Sequence, residues 1–397
     1  MSAGAALGIE RRIAVETRPA RLRVLHILEA TSAGAARFVA DVLLNHDLDR
    51  FDVSFAYSLI RSDRRFLSDL EKIQRRGVHT TEISMTRQVH PRDDLKSLRG
   101  LYRLMRQSRF DIVHSHSSKA GFLGRLASKM ARRKAVTLYS PHAIAIAVNP
   151  IYKPIEKFAG FFTDGLMAVS RSEKEQLLSY NLVPADKIHF VTAAVDVQAY
   201  RDPSLPHGVR ERLGIPATAL LVGSAGRLAD QKDPFMFLRV AEIVCQCDRD
   251  VHFVWAGDGE LRAKVLEKSR LLGLEKRVHF PGYYPDLRPL LASLDIFALT
   301  SRYESFGYVT CEAMALGKPV VATNVAGSRE LVADGRTGFL SEAGDAEGFA
   351  AKVLTLAGDS GLAARFGAAG RERVEQHFDL PRMVEDIEEL YLRLCRG

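Results

Sequence analysis

At 397 residues the chain is too long for one ordinary domain, and 47% hydrophobic with 26% charged residues is the balance of a globular protein with a core in each of two units. No apolar run approaches the ~18 residues of a membrane-spanning helix, and four cysteines (Cys245, Cys247, Cys311, Cys395) without paired spacing leave no disulfide framework or cysteine-rich zinc site, which fits a reducing cytoplasm. The formal net charge of +8 is uneven, with 31 Lys+Arg against 20 Asp+Glu in residues 1–196 and 25 against 28 in the rest, so the first half is the one expected to face an anionic partner such as a membrane surface.

In chain order, residues 1–20 read as a flexible tail whose short apolar stretch is broken by Glu10, Arg11 and Arg12. Short apolar runs then alternate with longer amphipathic segments. The runs of the first half are RVLHIL, FDVSFAYSL, DIVHSH, AVTLYSP, GLMAVS and KIHFVT; those of the second are LLVGSAG, VHFVWAG, VHFPG, IFALT, PVVATN and TGFL. This alternation predicts parallel sheets covered on both faces by helices. Between the two sets lies DVQAYRDPSLPHGVRERLGIP, polar and holding three of the fifteen prolines, which has the composition of a linker. The expected fold is α/β, two Rossmann-like doubly wound domains (21–200 and 201–375) facing across a cleft, with 376–397 a C-terminal helix packing back on the first. Ligands in such sheets sit beyond the carboxyl ends of the strands.

Two loops at such ends carry chemistry. After IFALT comes TSRYESFG, followed by a helix expected from about Tyr308, with Gly317 and Pro319 as its stop. Glu304 lies on the loop and Glu312 a little over one turn into the helix. The amides of Ser305, Phe306 and Gly307 stand at the helix entrance, where unpaired donors and the positive end of the dipole favour an oxygen-rich or anionic ligand. Acids flanking such a nest suit the hydroxyls of a sugar and a ribose. After LLVGSAG comes GRLADQKDP, with Arg227 and Lys232 ahead of an Asp233-Pro234 helix start. A guanidinium fork and a compact ammonium there are suited to a diphosphate, neutralised without metal.

ESFGYVTCE, GRLADQKDP, VWAGDGE, VHFPGYYPDL and AGSRELVADGRTGFL, in this order, resemble the retaining nucleotide-sugar glycosyltransferases of family 4, which have the GT-B fold and a Glu, seven residues, Glu signature. The likeness runs from residue 21 over nearly the whole chain and is stronger in the second half. It implies that Arg227 and Lys232 bind the donor diphosphate, that Glu304 meets the donor sugar and Glu312 the ribose. By the same resemblance the amides of Ser305, Phe306, Gly307, Tyr308 and Val309 hold sugar and phosphates, and the base lies near Gly282 and Tyr283. In the first half, His142 takes the place of the family histidine near the reaction centre, and Gly34 in TSAGAARF that of the glycine-rich turn over the phosphates. There are departures: Ala33 where a second glycine is frequent, Ala143 after the histidine where glycine is usual, and TAAVD in place of Asn-Gly-Val-Asp.

The implied activity is transfer of a hexose from a UDP- or GDP-sugar to a hydroxyl of a glycan or lipid-linked acceptor in surface polysaccharide synthesis, at the inner face of the cell membrane and without a cofactor. The implied catalytic residues are His142, Glu304, Arg227 and Lys232. No metal site is expected. His114 and His116 lack a third ligand nearby in sequence, and the Asp-x-Asp pairs Asp47–Asp49 and Asp248–Asp250 precede their strands at the wrong end. Nucleic acid is disfavoured because the basic runs lack interleaved aromatics. Rival readings are a nucleotide-sugar epimerase of the same fold and a non-catalytic sugar-nucleotide-binding partner; a nicotinamide dehydrogenase is disfavoured because LHILEATSAGAARF lacks a spaced three-glycine fingerprint.

Overall fold

The computed structural model describes residues 21–131, 134–142, 146, 149–201, 208–247 and 250–396. The expected tail (1–20), Ala143, Asp248 and the middle of the linker lie outside them. Two wholly parallel sheets organise the chain. The first is seven-stranded, in the order β3-β2-β1-β4-β5-β6-β7. Its strands are β1 (Leu22–Leu28), β2 (Phe51–Tyr57), β3 (His79–Glu82), β4 (Ile112–His116), β5 (Val136–Ser140), β6 (Gly165–Ala168) and β7 (Ile188–Phe190). The second is six-stranded, in the order β10-β9-β8-β11-β12-β13. It comprises β8 (Leu220–Ala225), β9 (Val251–Ala256), β10 (Val278–Gly282), β11 (Ile296–Leu299), β12 (Val320–Thr323) and β13 (Gly338–Ser341). Helices flank both sheets, as the alternation of runs predicts. β3 is the strand that the sequence pattern does not announce: HTTE is a polar, largely exposed edge, so no apolar run marks it.

The strand orders fix where ligands can sit. Each sheet reverses its winding direction next to its first strand, between β1 and β4 and between β8 and β11, and the connections there diverge to open a crevice. The loops leaving β1, β8 and β11 are therefore the loops that hold Gly34, Arg227 with Lys232, and Glu304.

The two halves are tied by the chain's end. The Ser360–His377 helix packs beside the second sheet, with Gly367 so close to Gly317 that a Cβ would stand 2.0 Å from its carbonyl oxygen. The backbone then crosses at Val195, which donates to Phe378 O and accepts from the Leu380 amide. The Leu380–Arg396 helix lies on the first domain. Its Tyr391 hydroxyl is 2.6 Å from His114 Nδ1, and Glu388 reaches His46 at 3.0 Å.

Candidate active site

On the second domain the loops after β8 and β11 are laced together. Thr300 donates to the carbonyls of Lys232 and Asp233 at 3.1 Å, Arg302 Nε donates to Asp233 Oδ2 at 2.9 Å, and the Arg302 amide donates to Gln231 O. Asp233 is left-handed (φ 47°) and caps the Pro234–Cys245 helix by accepting from the Met236 amide. This cross-bracing sets the ammonium of Lys232 against the buried carboxylate of Glu304, which also accepts from Ser301 Oγ at 2.7 Å. Arg227 is exposed at the mouth, and its side chain bonds to no described residue.

Gly307 (φ 94°) is the N-cap of the Tyr308–Ala315 helix, a conformation that a Cβ would strain. The amides of residues 305–309 donate to no described group, so a row of N–H donors faces the cleft at a helix N-terminus. Gly327 donates to Glu304 O at 3.0 Å, and a Cβ on it would lie 2.7 Å from Phe306 O and 2.9 Å from Glu304 Cβ. That close approach is the physical reason for the glycine in AGSREL. Gly282 ends β10 at φ 87°, accepts from the Gly257 amide at 2.8 Å, and leads to Tyr283, which is half exposed.

The first domain brings a second helix N-terminus to face the first. Gly34 opens the Ala33–Asn45 helix, and a Cβ on it would stand 3.6 Å from the Tyr308 ring. Ala33 and His142 both have φ 58°; the first departure from the family pattern therefore places a Cβ where glycine carries no penalty. Arg37, one turn on, donates to Glu312 Oε1 across the cleft and stacks 4.5 Å over Tyr308. Burial opposes its charge, and Glu312 together with Tyr200, Asp41 and Tyr308 more than restores it. Tyr200 donates to the same Oε1 at 2.7 Å, while Oε2 of Glu312 is buried without a partner. A buried carboxylate oxygen without a partner keeps the capacity to accept a hydrogen bond. Sequence reasoning missed Arg37 and Tyr200. The only local signal for Arg37 is a cation early in a helix, where the dipole disfavours it.

His142 follows β5 at the cleft end. Its ring meets the Phe38 edge at 4.9 Å, and its Nε2 is 3.0 Å from His116 Nδ1. The expectation that His114 and His116 lack a third neighbour is corrected here, because His26 on β1 stands opposite His114 in register. The nitrogens of His26, His114 and His116 lie within 4.8 Å of one another. Every one of them already has a partner, however: Tyr391 and Ser140 for His114, His46 and His116 for His26, His26 and His142 for His116. The trio is thus a hydrogen-bonded group, each nitrogen of which is engaged by a neighbouring side chain.

The family model described as "Glycosyl transferases group 1" matches residues 219–359, and that described as "Glycosyltransferase Family 4" matches 32–199. The chain is 30% identical over 310 residues, 75% of its length and 79% of the relative's, to the Escherichia coli UDP-Gal:alpha-D-GlcNAc-diphosphoundecaprenol alpha-1,3-galactosyltransferase. The chain belongs to the GT-B glycosyltransferases. It is also 26% identical over 321 residues (78% of this chain, 83% of the relative) to the capsular polysaccharide biosynthesis glycosyltransferase CapM of Staphylococcus aureus. Among solved structures, HepE of Anabaena in complex with UDP-glucose superposes with a TM-score of 0.78 at 25% identity, over 93% of this chain and 99% of that one. As a GT-B glycosyltransferase, the protein has two parallel sheets, two facing helix N-termini and an Arg37–Glu312 pair that bridges its halves.

Proposed function

We propose that this glycosyltransferase is a retaining member of family 4, with Glu304 and Glu312 as its spaced glutamates, that moves a hexose from a UDP-sugar to a hydroxyl of a lipid-linked glycan in surface polysaccharide synthesis. The observation that carries the reading is the cradle of unpaired amides at 305–309, flanked by Lys232 and Arg227 on one side and the orphaned Glu312 Oε2 on the other. It offers donors for a diphosphate and an acceptor for a ribose hydroxyl. The UDP donor and the lipid-linked acceptor are supported by the similarity to the Escherichia coli galactosyltransferase and to the Anabaena UDP-glucose complex.

In this mechanism the acceptor oxygen attacks the anomeric carbon from the face the diphosphate leaves. The bond to the diphosphate breaks as the new glycosidic bond forms, and the acceptor's proton passes to the departing phosphate. Lys232 and Arg227 hold the leaving charge without metal, Glu304 receives sugar hydroxyls, and His142 lines the reaction centre, so catalysis is positioning and stabilisation of the leaving group. Work at the membrane's inner face is supported by the basic first half and by exposed Ile151, Ile155, Phe158 and Phe161, which carry Lys153 and Lys157 among them. This segment continues from the loop that holds His142.

The test is thermal denaturation with UDP-, GDP- and ADP-sugars in the presence of a chelator. A donor at 100 times its Kd stabilises by about 2.7 kcal/mol, so a rise in Tm with UDP-sugars alone is expected. A response only to the other bases, or only with added metal, overturns the donor or the metal-free part of the reading.

A further inference from the structure

The histidines of the first sheet form one hydrogen-bonded chain from the C-terminal helix to the cleft. Glu388 Oε1 is 3.0 Å from His46 Nδ1, and His46 Nε2 is 3.1 Å from His26 Nε2. His26 Nδ1 is 3.1 Å from His116 Nε2, and His116 Nδ1 is 3.0 Å from His142 Nε2. The fold explains the line. β1 and β4 are neighbours, so His26 and His116 share the sheet face that the Ala33–Asn45 helix covers, His46 follows that helix's last residue, and His142 leaves β5 at the cleft. His26, His46 and His116 are wholly buried, so water does not compete for the bonds among these three rings.

The chain has a direction. A neutral imidazole has one donor and one acceptor nitrogen, and burial lowers the pKa values of His26, His116 and His142, that of His142 to about 3. Glu388 Oε1 already accepts the Asp47 amide at 2.8 Å and has Arg50 beside its other oxygen, so at this end the carboxylate accepts and His46 Nδ1–H donates. With one proton on each ring, His46 Nε2 then accepts from His26 Nε2–H, His26 Nδ1 accepts from His116 Nε2–H, and His116 Nδ1 accepts from His142 Nε2–H. Only Nδ1 of His142 is left, and it bonds to no described residue.

We propose that Glu388 is a positioning residue that, through His46, His26 and His116, fixes His142 as its Nε2–H tautomer and leaves Nδ1 as a hydrogen-bond acceptor for a hydroxyl of the bound sugar or acceptor. The identity of that hydroxyl rests on the function proposed above; the tautomer does not. A helix at the very end of the chain thus sets which nitrogen of a cleft histidine can accept.

The experiment is nitrogen-15 NMR of the full chain labelled at histidine, with the His142 signal identified by its loss in His142→Asn. The expected wild-type result is a proton on Nε2 of His142 and on Nδ1 of His46. In Glu388→Gln the amide oxygen can accept the same two N–H groups, and the tautomer persists. In Glu388→Leu the anchor is gone, and His142 populates both tautomers. Its transfer rate then falls roughly 10- to 100-fold, the scale for losing the outer hydrogen-bond partner that orients a metal-bound histidine, with nucleotide Kd unchanged. Nδ1–H at His142 in the wild type, as a doubly protonated His46 would impose by reversing every bond, overturns the proposal. An unchanged tautomer in Glu388→Leu does the same. If that variant does not fold, the wild-type tautomers decide alone. Correct tautomers in a chain that transfers no sugar would uphold the relay and refute the proposed function.

Discussion

Lys232 and Glu304 form an ion pair, and binding of a sugar nucleotide is expected to part them, the ammonium turning to phosphate and the carboxylate to sugar hydroxyls. Each is packed by close neighbours: Gly226 beside the lysine chain, Ser301 and Gly327 around the glutamate. Lys232→Ala and Arg227→Ala are each expected to lower turnover about 10²–10³-fold, the scale for one lost preorganised donor, in a transfer assay at saturating donor. Near-wild-type turnover in both would remove the diphosphate role. These residues were legible because spacing around a strand end marks them. Arg37 and Tyr200 were not, since they reach Glu312 across 275 and 112 residues of sequence, a meeting that local pattern does not encode.

At the scale of elements, the Lys153–Gly160 helix is anchored from below and presents exposed apolar side chains above. Beneath it Glu156 forms a buried 2.7 Å pair with Arg125, whose guanidinium also stacks 4.2 Å over Tyr139 and donates to Gly121 O. Above it Phe161 is 85% and Phe158 57% exposed, an apolar load that water disfavours and lysines flank. Inserting a Phe side chain into a bilayer interface gains on the order of 1.5–3 kcal/mol. Phe158→Glu with Phe161→Glu should therefore weaken co-sedimentation with phosphatidylglycerol-rich vesicles at least about tenfold, and salt should weaken the wild type by screening the lysines. Equal binding by wild type and variant, indifferent to salt, would refute a bilayer contact here. Strand and helix periodicity announced most elements of both sheets. The edge strand β3 escaped because an exposed edge needs no apolar run to form.

For the molecule as a whole, the buried histidine seam makes stability depend on pH. Burial lowers the folded pKa values of His26, His114, His116 and His142, so their contribution is present above the unfolded value of 6.5 and is lost as pH falls below it. Each such histidine removes about 1.4 kcal/mol per pH unit below that point. Glu173 acts in the opposite sense. Burial raises its pKa to about 7, so between pH 7 and 4.5 it gains stability as pH falls and offsets one histidine of the four. The net expectation is steep acid unfolding, with Tm dropping well before pH 5. A Tm that is flat between pH 7 and 5 would mean that the seam already carries charge in the folded state. Glu173→Gln should raise Tm at pH 8, where the wild type must bury a charge.

By itself the sequence determined what repeats locally. Apolar runs of strand length alternating with amphipathic helices dictate doubly wound parallel sheets, and glycines, acids and cations at the ends of particular strands mark the donor loops. Those features depend on neighbours a few residues away, within reach of the periodicity of strand and helix. Only the tertiary structure decided which loops face each other: Gly34 against Tyr308, Arg37 across to Glu312, and a line of four imidazoles bonded end to end from Glu388 to His142. The reason is that these contacts arise from strand order and from the return of the last helix to the first domain, and hydrogen bonds between buried groups are set by that packing rather than by any spacing along the chain.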